Sequence, residues 1–392
     1  MPNFISEDQI EIAKTAVFTE CFRYRAINCY TPDPEMLPDG SGRSDKRDVV
    51  FLDILKTKAR EFNPHIPENT IDQAIVQLTA SRYAMSPILA NKEVYSYIRD
   101  GIPVQYQNAK GKMEQGSVKV INFNQDDNDF LVVRQLWIKG DYYFRRPDII
   151  LYINGLPLVF IELKNSNVPI KAAYDDNLTN YRKDIPQLFQ YNVICILSNA
   201  IETKVGSMTA GWEFFFNWFR VDDETEKIDR IEIREKGISL EKVALGLCAR
   251  ERLLDYIENF ILYHKENSKI IAENHQFIGV NKAIDAFADR EKRNGKLGVF
   301  WHTQGSGKSF SMIFLTRKIF RKFTGNFTFV IITDRDDLDG QIYKNFLHTD
   351  TVKKKEQVRP KDSAEMRDYL SRNLRFVFTL IHKFRWDKGK DY

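Results

Sequence analysis

Several features of secreted and membrane proteins are missing from this sequence of 392 residues. Its four cysteines are scattered without paired spacing, so neither a disulfide framework nor a cysteine-based zinc site is indicated. No apolar run approaches the length of a membrane span. The first residues lack the basic segment and apolar core of a secretory signal. These absences favour a cytoplasmic protein that does not contact a membrane.

A strong charge of either sign is also missing, because the formal net charge is only +4. A balance this close to neutral permits nucleic-acid binding without arguing for it, and any such contact must come from local basic clusters. The chain has no internal repeat and no low-complexity tract. Its length is typical of two or three domains.

The periodicity of the apolar residues divides the chain into two parts, and we place the boundary at 250. Residues 1–250 combine helical patterns with β-rich segments between 102 and 164, a helix at 170–182 and a buried strand after it. Residues 251–392 alternate strand and helix, which favours a parallel sheet. The predicted elements there are a strand at Leu297–Trp301, a helix at Ser309–Phe323, and strands at Phe327–Thr333 and Phe376–Leu380.

Three charged residues interrupt a pair of apolar runs that the turn pair Asn154-Gly155 joins into a predicted β-hairpin. Glu162 and Lys164 are two residues apart and therefore project from one face of a strand, and Asp148 begins the partner strand. Two carboxylates can hold Mg²⁺ for phosphodiester hydrolysis, and a neighbouring lysine can counter the developing charge.

The pattern itself is not specific to catalysis. The sequence has three Pro-Asp pairs, at Asp33, Asp39 and Asp148, and two Glu-x-Lys triplets, at Glu162 and Glu202. Only Asp148 and the triplet at Glu162 lie in one predicted hairpin. An ordinary surface hairpin with a Glu–Lys pair would show the same pattern.

A shared metal site places a condition on the register of this hairpin. A regular two-residue turn would pair Asp148 with Ile161, and Glu162 would then point to the opposite face. An odd-length loop, or a β-bulge, would bring Asp148 opposite Glu162. We therefore expect one of these two irregularities.

A second motif, Gly305-Ser306-Gly307-Lys308-Ser309, comes after an apolar run and precedes a predicted helix, as a phosphate-binding loop requires. Backbone N–H groups and the helix N-terminus would hold the phosphates, Lys308 would reach the terminal phosphates, and Ser309 would ligate Mg²⁺. His302 stands where the usual first glycine is missing, and we interpret it as structural. Gln276, upstream of the loop, is a candidate adenine-reading residue.

Three stretches together resemble the restriction subunit of type I restriction-modification enzymes. They are Arg-Pro-Asp-Ile with Asn-Gly-Leu-Pro-Leu-Val-Phe-Ile-Glu-Leu-Lys, then Trp-His-Thr-Gln-Gly-Ser-Gly-Lys-Ser, then Thr-Asp-Arg-Asp-Asp-Leu-Asp-Gly-Gln. The resemblance runs from about residue 5 to the end, and the order and spacing of the motifs make it specific.

The resemblance implies an α/β chain with a mixed-sheet nuclease domain of the PD-(D/E)xK class at 1–250. Part of a RecA-like, parallel-sheet motor lobe of the superfamily 2 helicase type would occupy 251–392. It makes Asp148, Glu162 and Lys164 the nuclease centre and 305–309 the ATP loop. The implied activity is Mg²⁺-dependent cleavage of unmodified double-stranded DNA, coupled to ATP-driven translocation, in a complex with modification and specificity subunits.

Two supporting positions stay open at this point. The family often has Gln-x-x-x-Tyr on the helix after the nuclease strands. Here Asn177 with Tyr181 occupies that place, which departs from the family pattern, and Gln187 with Tyr191 is a competing match. An N-terminal glutamate often completes this kind of metal site. Glu7 and Glu11 are both candidates, although the pattern favours an ordinary surface residue at either position, and Glu11 is named only as a candidate third metal ligand.

The sequence also departs from the family on the C-terminal side of the ATP loop. No Asp-Glu-x-His box is present there, and the family's subunit is much longer. We therefore expect a fragment of a longer subunit, which alone does not hydrolyse ATP appreciably. Two alternatives are another ATP-dependent helicase–nuclease, as in DNA repair, and a degenerate nuclease domain used only for DNA binding or docking.

Overall fold

The computed structural model describes residues 7–108, 110–124 and 127–384. The chain divides into two compact units, Met1–Glu258 and Asn259–Tyr392. Both units combine helices with strands, so the predicted α/β class is confirmed. Within the described ranges, no helix is both long and apolar enough to cross a membrane.

The first unit has eleven strands, nine α-helices and a 3₁₀ turn at Trp212–Phe214 among its described residues. The strands are β1 (Arg25–Asn28), β2 (Ile102–Gln107), β3 (Met113–Val118), β4 (Phe130–Arg134), β5 (Ile138–Lys139), β6 (Phe144–Arg145), β7 (Ile149–Ile153), β8 (Leu156–Leu163), β9 (Ile194–Ser198), β10 (Thr203–Gly206) and β11 (Phe216–Asn217). The helices are α1 (Glu7–Ala16), α2 (Leu52–Phe62), α3 (Glu68–Thr79), α4 (Pro87–Asp100), α5 (Thr179–Asp184), α6 (Pro186–Phe189), α7 (Arg230–Lys236), α8 (Ser239–Val243) and α9 (Arg250–Asn259). Short π-helical segments extend three of them, at Val17–Cys21, Ala173–Leu178 and Ala244–Cys248.

Seven of these strands form one mixed sheet in the order β1-β4-β7-β8-β9-β10-β11. The pairs β1–β4 and β8–β9 are parallel, and the other neighbours are antiparallel. Every residue of β7, β8 and β9 is buried. A strand covered on both faces favours a continuous apolar run over alternation, which explains the sequence of these three strands. A charged residue on them is therefore exceptional.

The second unit contains an antiparallel hairpin and a parallel strand pair. Its elements are β12 (Ile261–His264), β13 (Ser268–Ile271), α10 (Asn274–Ala288), α11 (Lys308–Lys322), β14 (Phe329–Thr333), α12 (Asp336–His348), α13 (Ser363–Ser371) and β15 (Phe376–Leu380). β14 and β15 pair in parallel, as the alternating pattern predicts. A 3₁₀ turn, Ile381–Phe384, comes after β15.

The strand predicted at Leu297–Trp301 is not formed, and this prediction is wrong. The segment has no regular secondary structure, and Val299 and Trp301 are 94% and 78% exposed. Gly298 has φ +125°, which interrupts the extended backbone that a strand needs. The phosphate-binding motif is therefore preceded here by an irregular segment, although α11 begins at Lys308 as expected.

Candidate active site

The hairpin that carries the acidic residues turns at Asn154 and Gly155, both with positive φ (52° and 79°). Positive φ at both central residues is typical of a tight type I′ turn, which favours Asn-Gly. A side chain at Gly155 would clash with the main-chain carbonyl of Phe51. The turn is also anchored to the rest of the unit, since the buried Asn154 amide donates to the Val120 carbonyl at 2.9 Å.

A β-bulge in this hairpin changes its register between the turn and the acidic residues. Ile153 pairs with Leu156 and Tyr152 with Pro157, but Leu151 pairs with Val159, so Leu158 is the extra residue. Beyond the bulge Ile149 pairs with Ile161, and one further step sets Asp148 opposite Glu162. Of the two irregularities expected from the sequence, the bulge is confirmed, and the turn itself keeps two residues.

Pro157 explains why the irregularity lies at this point of the strand. Proline has no N–H to donate to a ladder, so within sheets it favours edges and bulges. The carbonyl of the extra residue, Leu158, accepts a hydrogen bond from the Val193 N–H at 2.7 Å. The bulged residue therefore keeps a hydrogen-bond partner within the buried sheet, as a buried carbonyl requires.

Asp148 is held by contacts from two neighbouring strands. Its carboxylate accepts a 2.7 Å hydrogen bond from the N–H of Leu163, the residue between Glu162 and Lys164. From the other side, the Gln135 N–H donates to the Asp148 carbonyl at 3.0 Å, and the Gln135 side-chain amide lies 3.5 Å from the carboxylate. Gln135 has φ +54°, an uncommon conformation for this residue type.

Glu162 is a buried carboxylate, only 2% exposed, on the central strand β8. It accepts a hydrogen bond from the side-chain amide of Asn177, and the Tyr181 hydroxyl lies 3.5 Å from the same oxygen. Burial raises the pKa of Tyr181, and the nearby Glu162 charge raises it further. The hydroxyl of Tyr181 therefore stays protonated, as a donor must.

The structure distinguishes the two Gln-x-x-x-Tyr candidates by their position. Asn177 and Tyr181 contact Glu162, whereas the Gln187 amide donates to the main-chain carbonyl of Lys139 at 2.8 Å. Tyr191 lines a separate cavity of about 230 Å³ together with Asp48 and others. Only the first pair lies at the acidic site.

Lys164 continues the strand beyond Glu162, because its N–H donates to the Ser198 carbonyl at 2.8 Å. It is half-buried, and its spacing from Glu162 keeps both side chains on one face. The three residues Asp148, Glu162 and Lys164 thus lie at adjacent ends of two paired strands, as the sequence predicts for the hairpin.

Glu11 contacts two residues that lie next to this site. Its carboxylate accepts hydrogen bonds from Arg134, at 2.5 Å, and from the amide of Gln135, which also approaches Asp148. Among the described residues, no three His, Cys, Asp or Glu side chains come together as a metal-binding group. The role of Glu11 as a third ligand stays a prediction, and the side chain of Glu7 lies outside the described residues.

Sequence reasoning missed Gln135 and Arg134 in this site. Both lie at the end of β4, which neighbours β7 in the sheet but is separated from it by the β5–β6 hairpin in the chain. In the sequence they are visible only as two polar residues that follow the apolar run Phe130–Val133. Placing them at the acidic site requires knowing that β4 pairs with β7, and the periodicity of the apolar residues does not give the order of the strands.

The phosphate-binding motif forms a glycine-rich loop at the start of α11. Gly305 and Gly307 have φ +82° and +72°, conformations that favour glycine. The Lys308 ammonium folds back onto the loop and donates to the carbonyls of His302 and Thr303 at 2.9 and 2.8 Å. The Ser309 hydroxyl accepts a 2.8 Å hydrogen bond from Asn345.

Gln276 packs against this loop and is only 3% exposed. Its amide nitrogen donates to the Gly307 carbonyl at 3.0 Å, and its amide oxygen accepts from the Glu273 N–H at 2.9 Å within a capping box. Both the nitrogen and the oxygen of the Gln276 amide therefore already have hydrogen-bond partners within the protein. The adenine-reading role that the sequence suggests stays a prediction.

Comparisons with known proteins match both units to described families. Residues 21–214 match the family model described as type I restriction enzyme R protein N terminus. Residues 275–392 match the model described as SWI2/SNF2 ATPase. The two matches cover the acidic hairpin and the glycine-rich loop, respectively.

Individual relatives agree with the first of these matches. The chain is 36% identical over 359 residues to the type I restriction enzyme HindI endonuclease subunit of Haemophilus influenzae, covering 87% of this chain and 33% of the relative. It is 31% identical over 390 residues to MjaIXP of Methanocaldococcus jannaschii, provisionally named a type I restriction enzyme endonuclease subunit, covering 93% and 36%. The chain thus spans about a third of the length of these curated relatives.

Proposed function

Because the chain belongs to the family of type I restriction enzyme endonuclease subunits, we propose that Asp148, Glu162 and Lys164 form a Mg²⁺-dependent DNA-cleaving centre of the PD-(D/E)xK class. The observation that carries the proposal is the bulge at Leu158, which sets Asp148 opposite Glu162. A fully buried strand has no structural need for the Glu162 carboxylate beside the half-buried Asp148, since burying charge costs free energy.

The donor set of this site suits Mg²⁺, which prefers carboxylate oxygens and retains several waters. Asp148 and Glu162 would hold the ion. When bound, it would lower the pKa of a coordinated water and stabilise charge on the phosphoryl group. The fixed positions of both carboxylates reduce the reorganisation that binding requires.

The protein's own residues have distinct positioning roles in this proposal. Asn177 and Tyr181 orient Glu162, and the Leu163 N–H and Gln135 orient Asp148. Lys164, on the face of Glu162, would pair with a phosphate oxygen and counter the charge that develops during hydrolysis.

The second unit is proposed as the first part of an ATP-driven, RecA-like DNA motor of the helicase type. The glycine-rich loop at the N-terminus of α11 and the match to an ATPase family support this. Lys308 would exchange its present carbonyl partners for the terminal phosphates, and Ser309 would ligate Mg²⁺. In the whole subunit, double-stranded DNA and the modification and specificity subunits would be the partners.

The test is cleavage of unmodified DNA by the full-length subunit in its complex, after Asp148→Ala, Glu162→Ala or Lys164→Ala. Each change should lower the cleavage rate by about 100-fold or more, because each removes charge from the reacting phosphate or its metal. ATP hydrolysis should stay at the wild-type level, since the loop at 305–309 lies in the other unit.

The second Glu-x-Lys triplet provides a matched control. Glu202 has the same spacing to Lys204 but is exposed and lies just before β10. Glu202→Ala should cleave at the wild-type rate. Cleavage retained in all three site variants would reject the nuclease centre and favour a domain used only for DNA binding or docking.

A further inference from the structure

A cationic side chain, Arg146, lies two residues before Asp148 of the proposed nuclease centre. Its guanidinium lies over the rings of Tyr30 and Trp137, at 5.1 and 4.9 Å from their centroids. Across the ranges that the structure describes, no carboxylate lies within ion-pair distance of Arg146. The neighbouring Arg145 differs, because it pairs with Asp184 at 2.5 Å.

The Trp137 ring next to this guanidinium is itself anchored in the fold. The Trp137 indole donates to the Thr31 carbonyl at 3.0 Å, and the Trp137 carbonyl accepts a hydrogen bond from the buried Arg43. Aromatic faces attract a cation and limit the conformations of a long side chain, without neutralising its charge. Arg146 is therefore a preorganised, half-buried positive charge.

The backbone of Arg146 is tied to the acidic site. Its carbonyl lies 3.4 Å from the Tyr181 hydroxyl, which in turn lies 3.5 Å from the Glu162 carboxylate. Asp148 is only two residues further along the chain. The main chain of Arg146 therefore lies beside the two carboxylates that would face the reacting phosphate.

We propose that Arg146 binds a backbone phosphate of the DNA strand next to the bond that is cut. The planar guanidinium presents paired N–H groups that match two phosphate oxygens. A phosphate contact positions DNA without reading its sequence. This inference rests on the proposed nuclease function and adds the element that holds its substrate.

The test is the salt dependence of DNA binding by the chain, measured with a short blunt duplex in EDTA so that no cleavage occurs. Arg146→Gln keeps a planar group against the rings but removes the charge. It should reduce the slope of log affinity against log salt by about 0.9, as expected for one lost phosphate contact. Arg146→Lys should keep the slope but bind a few-fold more weakly, because lysine lacks the paired donors.

Arg230 provides the matched control, since it is an exposed arginine over one ring, that of Phe219, in the same unit. Arg230→Gln should keep the wild-type slope. A wild-type slope in Arg146→Gln, or wild-type affinity in Arg146→Lys, would overturn the proposal. This test and the test of the nuclease centre can fail independently. Glu162→Ala can lose cleavage whether or not Arg146→Gln changes the salt dependence of DNA binding.

Discussion

The side-chain amide of Asn177 donates a hydrogen bond to the carboxylate of Glu162. Asn177 lies on the π-helical segment before α5, and Glu162 lies on the central strand β8. The contact fixes the direction of a carboxylate that is almost completely buried. It connects the helical segment to the acidic site and makes the function of that segment testable.

Asn177→Asp should lower the DNA cleavage rate by about 10- to 100-fold. The change keeps the size of the side chain but replaces the donor with a second carboxylate beside Glu162, which is unfavourable in a buried site. Rates under single-turnover conditions measure the effect, with ATP hydrolysis as an internal reference. Gln187→Leu is the matched control, because Gln187 contacts the Lys139 carbonyl and not the acidic site. An equal loss of cleavage in Gln187→Leu would count against Asn177 as the residue that supports Glu162.

Lys308→Ala should abolish ATP hydrolysis and also block DNA cleavage in the full-length complex. Hydrolysis is lost because the variant lacks the ammonium that would hold the terminal phosphates. Cleavage is lost in turn if it requires ATP-driven translocation. Phosphate release and cleavage are measured on the same preparation. Lys292→Ala, a change of an 83% exposed side chain, serves as control. Cleavage at the wild-type rate by Lys308→Ala would show that the two activities are not coupled.

Gln276→Leu should weaken the binding of ATP and GTP by the same factor, about 5- to 50-fold. The amide supports the Gly307 carbonyl and closes the capping box of α10, so its loss loosens the loop whatever the base. Fluorescent analogues of both nucleotides measure the two affinities. A loss confined to ATP would instead support the adenine-reading role expected from the sequence.

Asp39→Asn should destabilise the first unit by about 3–5 kcal/mol, since it breaks a buried ion cluster. The Asp39 carboxylate is fully buried and pairs with Arg43 and Lys46, each at 2.8 Å. Burial alone would raise the pKa of Asp39, but hydrogen bonds from Lys46, Ser41 and Arg43 hold it well below its usual range. Thermal or urea unfolding measures the loss.

The pH dependence of this stabilisation has a definite sign. A carboxylate whose pKa is lowered by folding stabilises the protein above its unfolded pKa of about 3.9, and the contribution disappears as the pH falls through the folded pKa. The stability difference between the wild-type chain and Asp39→Asn should therefore be constant from about pH 8 to about pH 5 and shrink below about pH 4. A difference that grows on acidification would contradict the assignment of the charged cluster.

The local parts of the candidate site can be predicted from the sequence, because they depend on neighbouring residues. Asn154-Gly155 predicts the turn, and the alternation of side chains predicts that Glu162 and Lys164 share a face. If Asp148 and Glu162 share a face, the same alternation leaves two possibilities for the hairpin, which are a β-bulge and a loop with an odd number of residues. Pro157 is the residue that favours the bulge, since a proline cannot donate to the ladder.

The non-local parts cannot be predicted in the same way. The contact of Gln135 with Asp148 depends on β4 pairing with β7 across the sheet. The choice between Asn177 and Gln187 depends on how a helix packs over β8.

The strand predicted before the phosphate-binding loop failed for a local reason, since apolar composition does not reveal that Gly298 adopts φ +125°.

The bulge at Leu158 also limits how the length of this hairpin can evolve. Successive side chains of a strand alternate between faces, so adding or removing one residue between Asp148 and Glu162 would turn the two carboxylates away from each other. A change of two residues would restore their common face. Related chains that keep both carboxylates should therefore differ by even numbers of residues in this segment, unless a bulge is gained or lost in the same step.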